Sequence, residues 1–156
     1  MSAPELVALA RARALSLVSA ESCTGGLVGA AITAVPGASD VYLGGFITYS
    51  NGMKRALLGV EPDSLARFGA VSEPVAQQMA RGARRASGAD LAISVTGIAG
   101  PGGSEHKPEG RVCFGLASAQ GVASETVEFG ARGREAVRAA ACAHALEMLL
   151  AAMRAG

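Results

Sequence analysis

Residues 15–30, LSLVSAESCTGGLVGA, decide the fold. The run from Leu15 to Ser19 has the apolar character of a short buried strand, and Gly25 to Val35 reads as a helix stopped by Pro36-Gly37. Between them the chain passes through Glu21, Ser22, Cys23 and Thr24 before breaking on Gly25-Gly26. Strand, polar turn, helix is the building unit of an α/β protein, and in open α/β sheets such turns lie where ligands gather.

Outward from that unit the same grammar continues. Pro4 to Leu15 predicts a first helix, with proline suited to its opening turn. Val41 to Ser50 is aromatic and β-rich, hence a strand, and Asn51 can cap a short helix that carries Lys54 and ends at Gly59. Pro62 to Phe68 predicts one or two helical turns. Ser72 caps a clearer helix over 73–86, where Val75, Ala76, Met79, Ala80 and Ala83 share one face.

Leu91 to Thr96 is a buried strand that runs into GIAGPGGSEHKPEG, residues 97–110, too rich in Gly and Pro for regular structure. Residues 111–119 and 122–129 predict two strands joined by a tight turn at Gln120-Gly121. Arg134 to Arg154 closes the chain as a long helix with Val137, Ala141, Ala145 and Met148 as its buried stripe. The expectation is a single domain over 1–156: an α/β fold of three α/β/α layers, with a mixed, mainly parallel sheet including one antiparallel hairpin.

At 156 residues the chain has the length of one domain. Fourteen basic against 13 acidic residues leave a formal net charge of +1, so no global field draws the protein to nucleic acid or an acidic membrane. Cys23, Cys113 and Cys142 are widely spaced, without a CxxC pair, which argues against a disulfide framework or structural zinc and fits a reducing cytosol. Arg11 and Arg13 interrupt the N-terminal apolar run, and His144, Glu147 and Arg154 the C-terminal one. Neither a signal peptide nor a membrane span is expected.

Three predicted strands end in chemically loaded residues: ESCTGG, TYSNGMK and TGIAGPGG. In the first, Ser22 or Thr24 could cap the helix, backbone amides around Thr24, Gly25 and Gly26 could cradle an anion, or a side chain could be a nucleophile. Cys23 is open as that nucleophile and equally open as a small buried hydrophobe. A serine needs a base. Neither histidine suits it, since His106 sits in the glycine-rich loop and His144 beside the stripe of the last helix.

Lys54 is one of two lysines, the other being Lys107 in the glycine-rich loop. In a dry site a lysine can lose its proton near neutral pH, as arginine cannot. The alternative is an ordinary solvated lysine. Tyr49 could relay the proton or orient the amine. Thr96, Gly97, Gly100, Gly102 and Gly103 could form a nest for phosphate or sugar, or simply a surface loop. Arg132, Arg134 and Arg138 open the last helix, where a guanidinium could grip phosphate or lie on a solvated face.

AESCTGG, GGFITYSNGMKRALLGV, GAVSEPVAQQMARGA and SVTGIAGPGGSEHKPEGRV, in that order, resemble the CinA C-terminal domain family, from about residue 5 to the last helix. Its stand-alone members are nicotinamide-nucleotide amidohydrolases of the PncC type. The resemblance implies hydrolysis of the carboxamide of nicotinamide mononucleotide to nicotinate mononucleotide and ammonia, by serine–lysine catalysis without metal or cofactor. It implies Ser22 as nucleophile and Lys54 as base with Tyr49 close by, and Thr24, Gly25, Gly26, Thr96, Gly97, Gly100 and Arg134 around the nucleotide. It further implies a cytoplasmic homo-oligomer, a dimer being favoured, acting on a small molecule.

The chain departs from the family pattern at Gly52-Met53 before Lys54, at Gly133 before Arg134, and in a shortened glycine loop carrying His106 and Glu109. A non-catalytic nucleotide-binding domain and a Cys23-dependent hydrolase are the competing readings.

Overall fold

The computed structural model describes residues 2–156. Its elements are α1 (Ser2–Arg13), β1 (Leu17–Glu21), α2 (Leu27–Thr33), β2 (Tyr42–Ile47), α3 (Asn51–Leu58), α4 (Pro62–Phe68), α5 (Glu73–Ser87), β3 (Leu91–Gly97), β4 (Arg111–Ser118), β5 (Gly121–Glu128) and α6 (Arg134–Ala155). The strands form one sheet in the order β2-β1-β3-β4-β5. β1 pairs parallel with both β2 and β3, and β4 runs antiparallel to β3 and β5. Four of the five strands therefore point the same way. The sheet is mixed, as expected, with the hairpin at one edge.

Side chains alternate across each strand and so divide the core in two. Leu17, Ile93, Val95, Val112 and Phe114 face α1, α2 and α6. Val18, Ala20, Ala92 and Ala117 face α3 and α5 with Leu58, Val75, Met79, Ala80 and Ala83. The small residues of the second layer let its helices come close. A Cβ on Gly82 of α5 would lie 1.9 Å from the Leu58 carbonyl oxygen at the end of α3, so any side chain there forces the two helices apart. That contact fixes α3, and with it Lys54, over the sheet.

Several boundaries differ from the sequence reading. β1 is shifted two residues later because Ser16 is tied by its amide and hydroxyl to Asp90, leaving Leu17 as the first paired residue. β2 stops at Ile47, since Thr48 and Tyr49 turn aside and present their carbonyls to Lys54. Ser50, not Asn51, caps α3 by accepting the Met53 amide at 3.1 Å. Ser118 pairs with Gly121, so the hairpin turn is Ala119-Gln120. The helix after the glycine pair begins at Leu27 rather than Gly25.

At 22 residues α6 has the length and apolarity of a membrane span, yet Val137, Ala141, Ala145, Leu149 and Met153 are buried within the first core layer. Met148 packs at its margin, half-buried.

Candidate active site

Register brings the predicted turns together. Glu21 pairs with Ile47 on one side and Val95 on the other, so β1, β2 and β3 end at one level. The Ser22 amide donates to the Val95 carbonyl at 2.9 Å and the Thr48 amide to the Glu21 carbonyl at 2.8 Å. Ser22, Thr48 and Thr96 thus stand side by side at the carboxyl ends of three parallel strands. A cavity of about 390 Å³ opens there, lined by Ser22, Tyr49, Lys54, Gly97, Gly100 and Arg134 among others. That volume lies within the range of small-molecule sites.

Lys54 sits in the first turns of α3, with its side chain turned under the helix instead of out to solvent. It is 1% exposed. Nζ lies 2.9 Å from Ser22 Oγ and donates to the carbonyls of Thr48 at 2.9 Å and Tyr49 at 3.0 Å. No carboxylate forms a salt bridge with it among the described residues.

Burial without a counter-charge disfavours the ammonium, and the pKa falls from 10.5 to about 8; nearby Cys23 and Glu105 oppose the fall. In the neutral amine, two N–H bonds satisfy the two carbonyls and the lone pair is left facing the Ser22 hydroxyl. The geometry is that of a general base on its nucleophile.

Cys23 lies beside Ser22 on the cavity wall, but burial pushes its thiol up to about 11. A thiolate is what cysteine chemistry requires. Burial also raises the Cys113 thiol, and that of Cys142 to about 11. His144 lies 3.1 Å from Glu125 and packs on Phe114 in the core layer beneath α6, while His106 does not line the cavity.

The structure corrects two expectations. Tyr49 is 62% exposed; its hydroxyl accepts from Arg134 at 2.9 Å, and it reaches Lys54 through its main-chain carbonyl alone. It orients the amine by backbone, and its phenol braces Arg134, whose guanidinium also donates to the Gly100 carbonyl at 2.7 Å.

Thr24, Gly25 and Gly26 do not line the cavity. The Thr24 hydroxyl and the Gly26 amide donate to the carboxylate of Glu21, at 2.7 and 3.1 Å. The cradle legible in the sequence is real, but its anion is the chain's own. Gly25 and Gly26 adopt φ of 58° and 112°, left-handed backbone that wraps the turn around that carboxylate and that glycine alone tolerates easily.

Thr96, Gly97 and Gly100 do line the cavity, although the Thr96 hydroxyl donates to Ala70 O at 2.9 Å. Arg138 is structural here. It donates to the carbonyls of Cys23 and Thr24 and leaves the cavity to Arg134.

The glycine loop is stitched down. Lys107 donates to the carbonyls of Phe68 and Val71, and Glu109 accepts from the amides of Gly102 and Gly133. Gly133 precedes Arg134, so this Glu109 contact ties the loop to the start of α6. Sequence reasoning gave no role to Glu21, Glu109 or the cavity-lining Glu105, and read Asn51, which also lines the cavity, only as a helix cap. For Glu21 a signal existed: a carboxylate closing an apolar strand must find donors if it is buried. Among the described residues no cluster of three or more His, Cys, Asp or Glu is placed to hold a metal.

The family model of the CinA C-terminal domain matches residues 2–153. A CinA-like protein of Prochlorococcus marinus (strain MIT 9313) is 51% identical over 143 residues, covering 90% of this chain and 33% of that protein. The nicotinamide-nucleotide amidohydrolase PncC of Escherichia coli (strain K12) is 49% identical over 140 residues, covering 89% of this chain and 85% of PncC.

The chain thus spans a quarter to a third of the length of the first curated relatives and most of the length of PncC. A crystal structure of a CinA superfamily protein from Klebsiella pneumoniae superposes with a TM-score of 0.95 at 34% identity, covering 99% of this chain and 97% of that one. The competence/damage inducible protein CihA of Agrobacterium tumefaciens gives 0.90 at 43% identity, covering 97% and 95%.

Proposed function

The chain belongs to the CinA C-terminal domain family, and from that premise we propose that it is an amidohydrolase that converts nicotinamide mononucleotide to nicotinate mononucleotide and ammonia. The observation that carries the reading is the buried Lys54 amine, 2.9 Å from Ser22 Oγ and without a carboxylate partner. The likeness to PncC, which covers most of both chains, supplies the substrate.

In the proposed reaction neutral Lys54 takes the Ser22 proton as Oγ bonds to the carboxamide carbon. The C–N bond then breaks and the same amine returns the proton to the leaving nitrogen, releasing ammonia and leaving a nicotinoyl ester on Ser22. Water, deprotonated by Lys54, cleaves the ester, and the proton goes back to Ser22. The Gly97 amide at the cavity wall is the candidate donor to the oxyanion, a contact worth roughly 2.7–4 kcal/mol in comparable sites. Arg134, braced by Tyr49 and Gly100, takes the phosphate and so fixes the distance from phosphate to reacting amide.

Ammonia release from nicotinamide mononucleotide, nicotinamide riboside and nicotinamide, measured side by side, tests the substrate. The mononucleotide should turn over fastest; equal rates on the three would remove the phosphate anchor. Undiminished turnover in Ser22→Ala would remove the nucleophile. The reading extends to a cytoplasmic homodimer, in which self-association covers the exposed Leu43 and Ile47 of the edge strand β2. A monomeric mass in light scattering would end that part.

A further inference from the structure

Among the described residues, two charged side chains are fully buried: Lys54 and Glu21. The proposed mechanism uses the first and leaves the second idle. Glu21 Oε1 accepts from the Thr24 hydroxyl at 2.7 Å and from the amides of Gly26 and Val28 at 3.1 and 3.0 Å. Oε2 accepts from the Gly29 amide at 3.0 Å and from the Ser19 hydroxyl at 3.1 Å. All five donors lie between residues 19 and 29, and four of them follow Ser22 directly in the chain.

From the other flank Arg138 donates to the carbonyls of Cys23 and Thr24 at 3.0 and 3.2 Å. The turn that carries Ser22 is therefore gripped by its donors on one side and by its acceptors on the other. The main-chain carbonyl of Glu21 meanwhile accepts the Thr48 amide, which sets the strand end whose carbonyls hold Lys54.

We propose that Glu21 is a positioning residue for the hydrolysis: its carboxylate holds the 22–26 turn, left-handed at Gly25 and Gly26, and so keeps Ser22 Oγ in contact with Lys54 Nζ. The role rests on the Ser22–Lys54 reading. Glu21 does not line the cavity and touches no reacting atom. It acts by fixing the nucleophile. A displacement of about 1 Å at a reacting centre is enough to lower a rate by roughly 10²-fold.

Glu21→Gln keeps the volume but turns an NH2 group toward donors, so the turn loses at least one of its two anchoring oxygens. The expected result is kcat lowered by about 10²-fold with KM within about twofold of the parent. Hydrogen exchange should rise over residues 22–29 while β3 and α6 stay protected.

A kcat within about twofold of the parent, or unchanged exchange over 22–29, would overturn the proposal. If Glu21→Gln loses protection throughout, Thr24 decides the matter. Thr24→Val, which removes one donor to Oε1, should lower kcat by about fivefold, and Thr24→Ser should restore it. Equal rates in Thr24→Val and Thr24→Ser would end the role. Parent and Ser22→Ala run alongside: equal ammonia release from those two brings down the serine reading, and the positioning role with it. Loss in Ser22→Ala with a parental rate in Glu21→Gln brings down the positioning role alone.

Discussion

Glu21 and Lys54 are the two buried charges among the described residues, each 1% exposed, on opposite sides of the same serine. Their partner sets are opposite in kind. Glu21 has five donors, enough to replace the water it lost. Lys54 has two carbonyls and a hydroxyl, and among the described residues no carboxylate in a salt bridge with it. One site is closed and organises the chain; the other opens on the cavity and can do proton chemistry. Burial alone would not tell them apart. Satisfaction does.

The largest test of that contrast is Lys54→Met. It should lower ammonia release by about 10³-fold or more, since base and proton donor go together, while the fold survives. Stability should then separate the two sites. Glu21→Ala leaves three amides and a hydroxyl unpaired in the interior and should cost about 3–5 kcal/mol in urea denaturation.

Lys54→Met at pH 7 should stay within about 1 kcal/mol of the parent. The fall in its pKa from 10.5 to about 8 holds roughly 3 kcal/mol against folding, which the variant relieves, while the carbonyls of Thr48 and Tyr49 lose their donor. Below about pH 8 folded and unfolded chains both carry the Lys54 proton, so that cost is present in full. Between pH 8 and 10.5 only the unfolded chain carries it, and the Lys54 contribution to stability rises with pH.

The same amine governs rate. kcat/KM should rise about tenfold per pH unit up to an apparent pKa near 8 and then level. A flat profile between pH 6 and 9 would sink the neutral-lysine base. Arg134→Gln should raise KM by about tenfold or more and change kcat little, measured by initial rates across substrate concentration. The smallest effect belongs to Cys23→Ala. With its thiol near 11 the side chain fills space, so turnover should stay within about threefold of the parent.

Much of this was open to a reader of the sequence. The alternation of strand and helix, the face of α5 and the hairpin followed from local periodicity, and the structure keeps them with ends moved by one to three residues. Ser22, Lys54, Arg134, Thr96, Gly97 and Gly100, singled out in the sequence, all line one cavity. ESCTGG was legible as an anion cradle, and it supplies the Thr24 hydroxyl and the Gly26 amide to one, with the amides of Val28 and Gly29 beyond it. What filled the cradle was not legible, because a ligand phosphate and an internal carboxylate ask the same thing of backbone donors.

How Tyr49 meets the amine was not legible for a related reason. Its position beside Lys54 was set by the chain, but whether carbonyl or phenol would reach the amine depended on how β2 ends.

The sequence by itself determined the elements, their buried faces and the residue types gathered at three strand ends, because periodicity and turn chemistry act over a few neighbouring residues. Only the tertiary structure decided that the Lys54 amine meets the Ser22 hydroxyl across 32 positions of chain and that Glu21 takes the donors beside it. Which buried charge is sealed in and which faces the cavity depends on groups supplied by β1, β2, α2 and α3 at once. No single stretch of chain contains that sum.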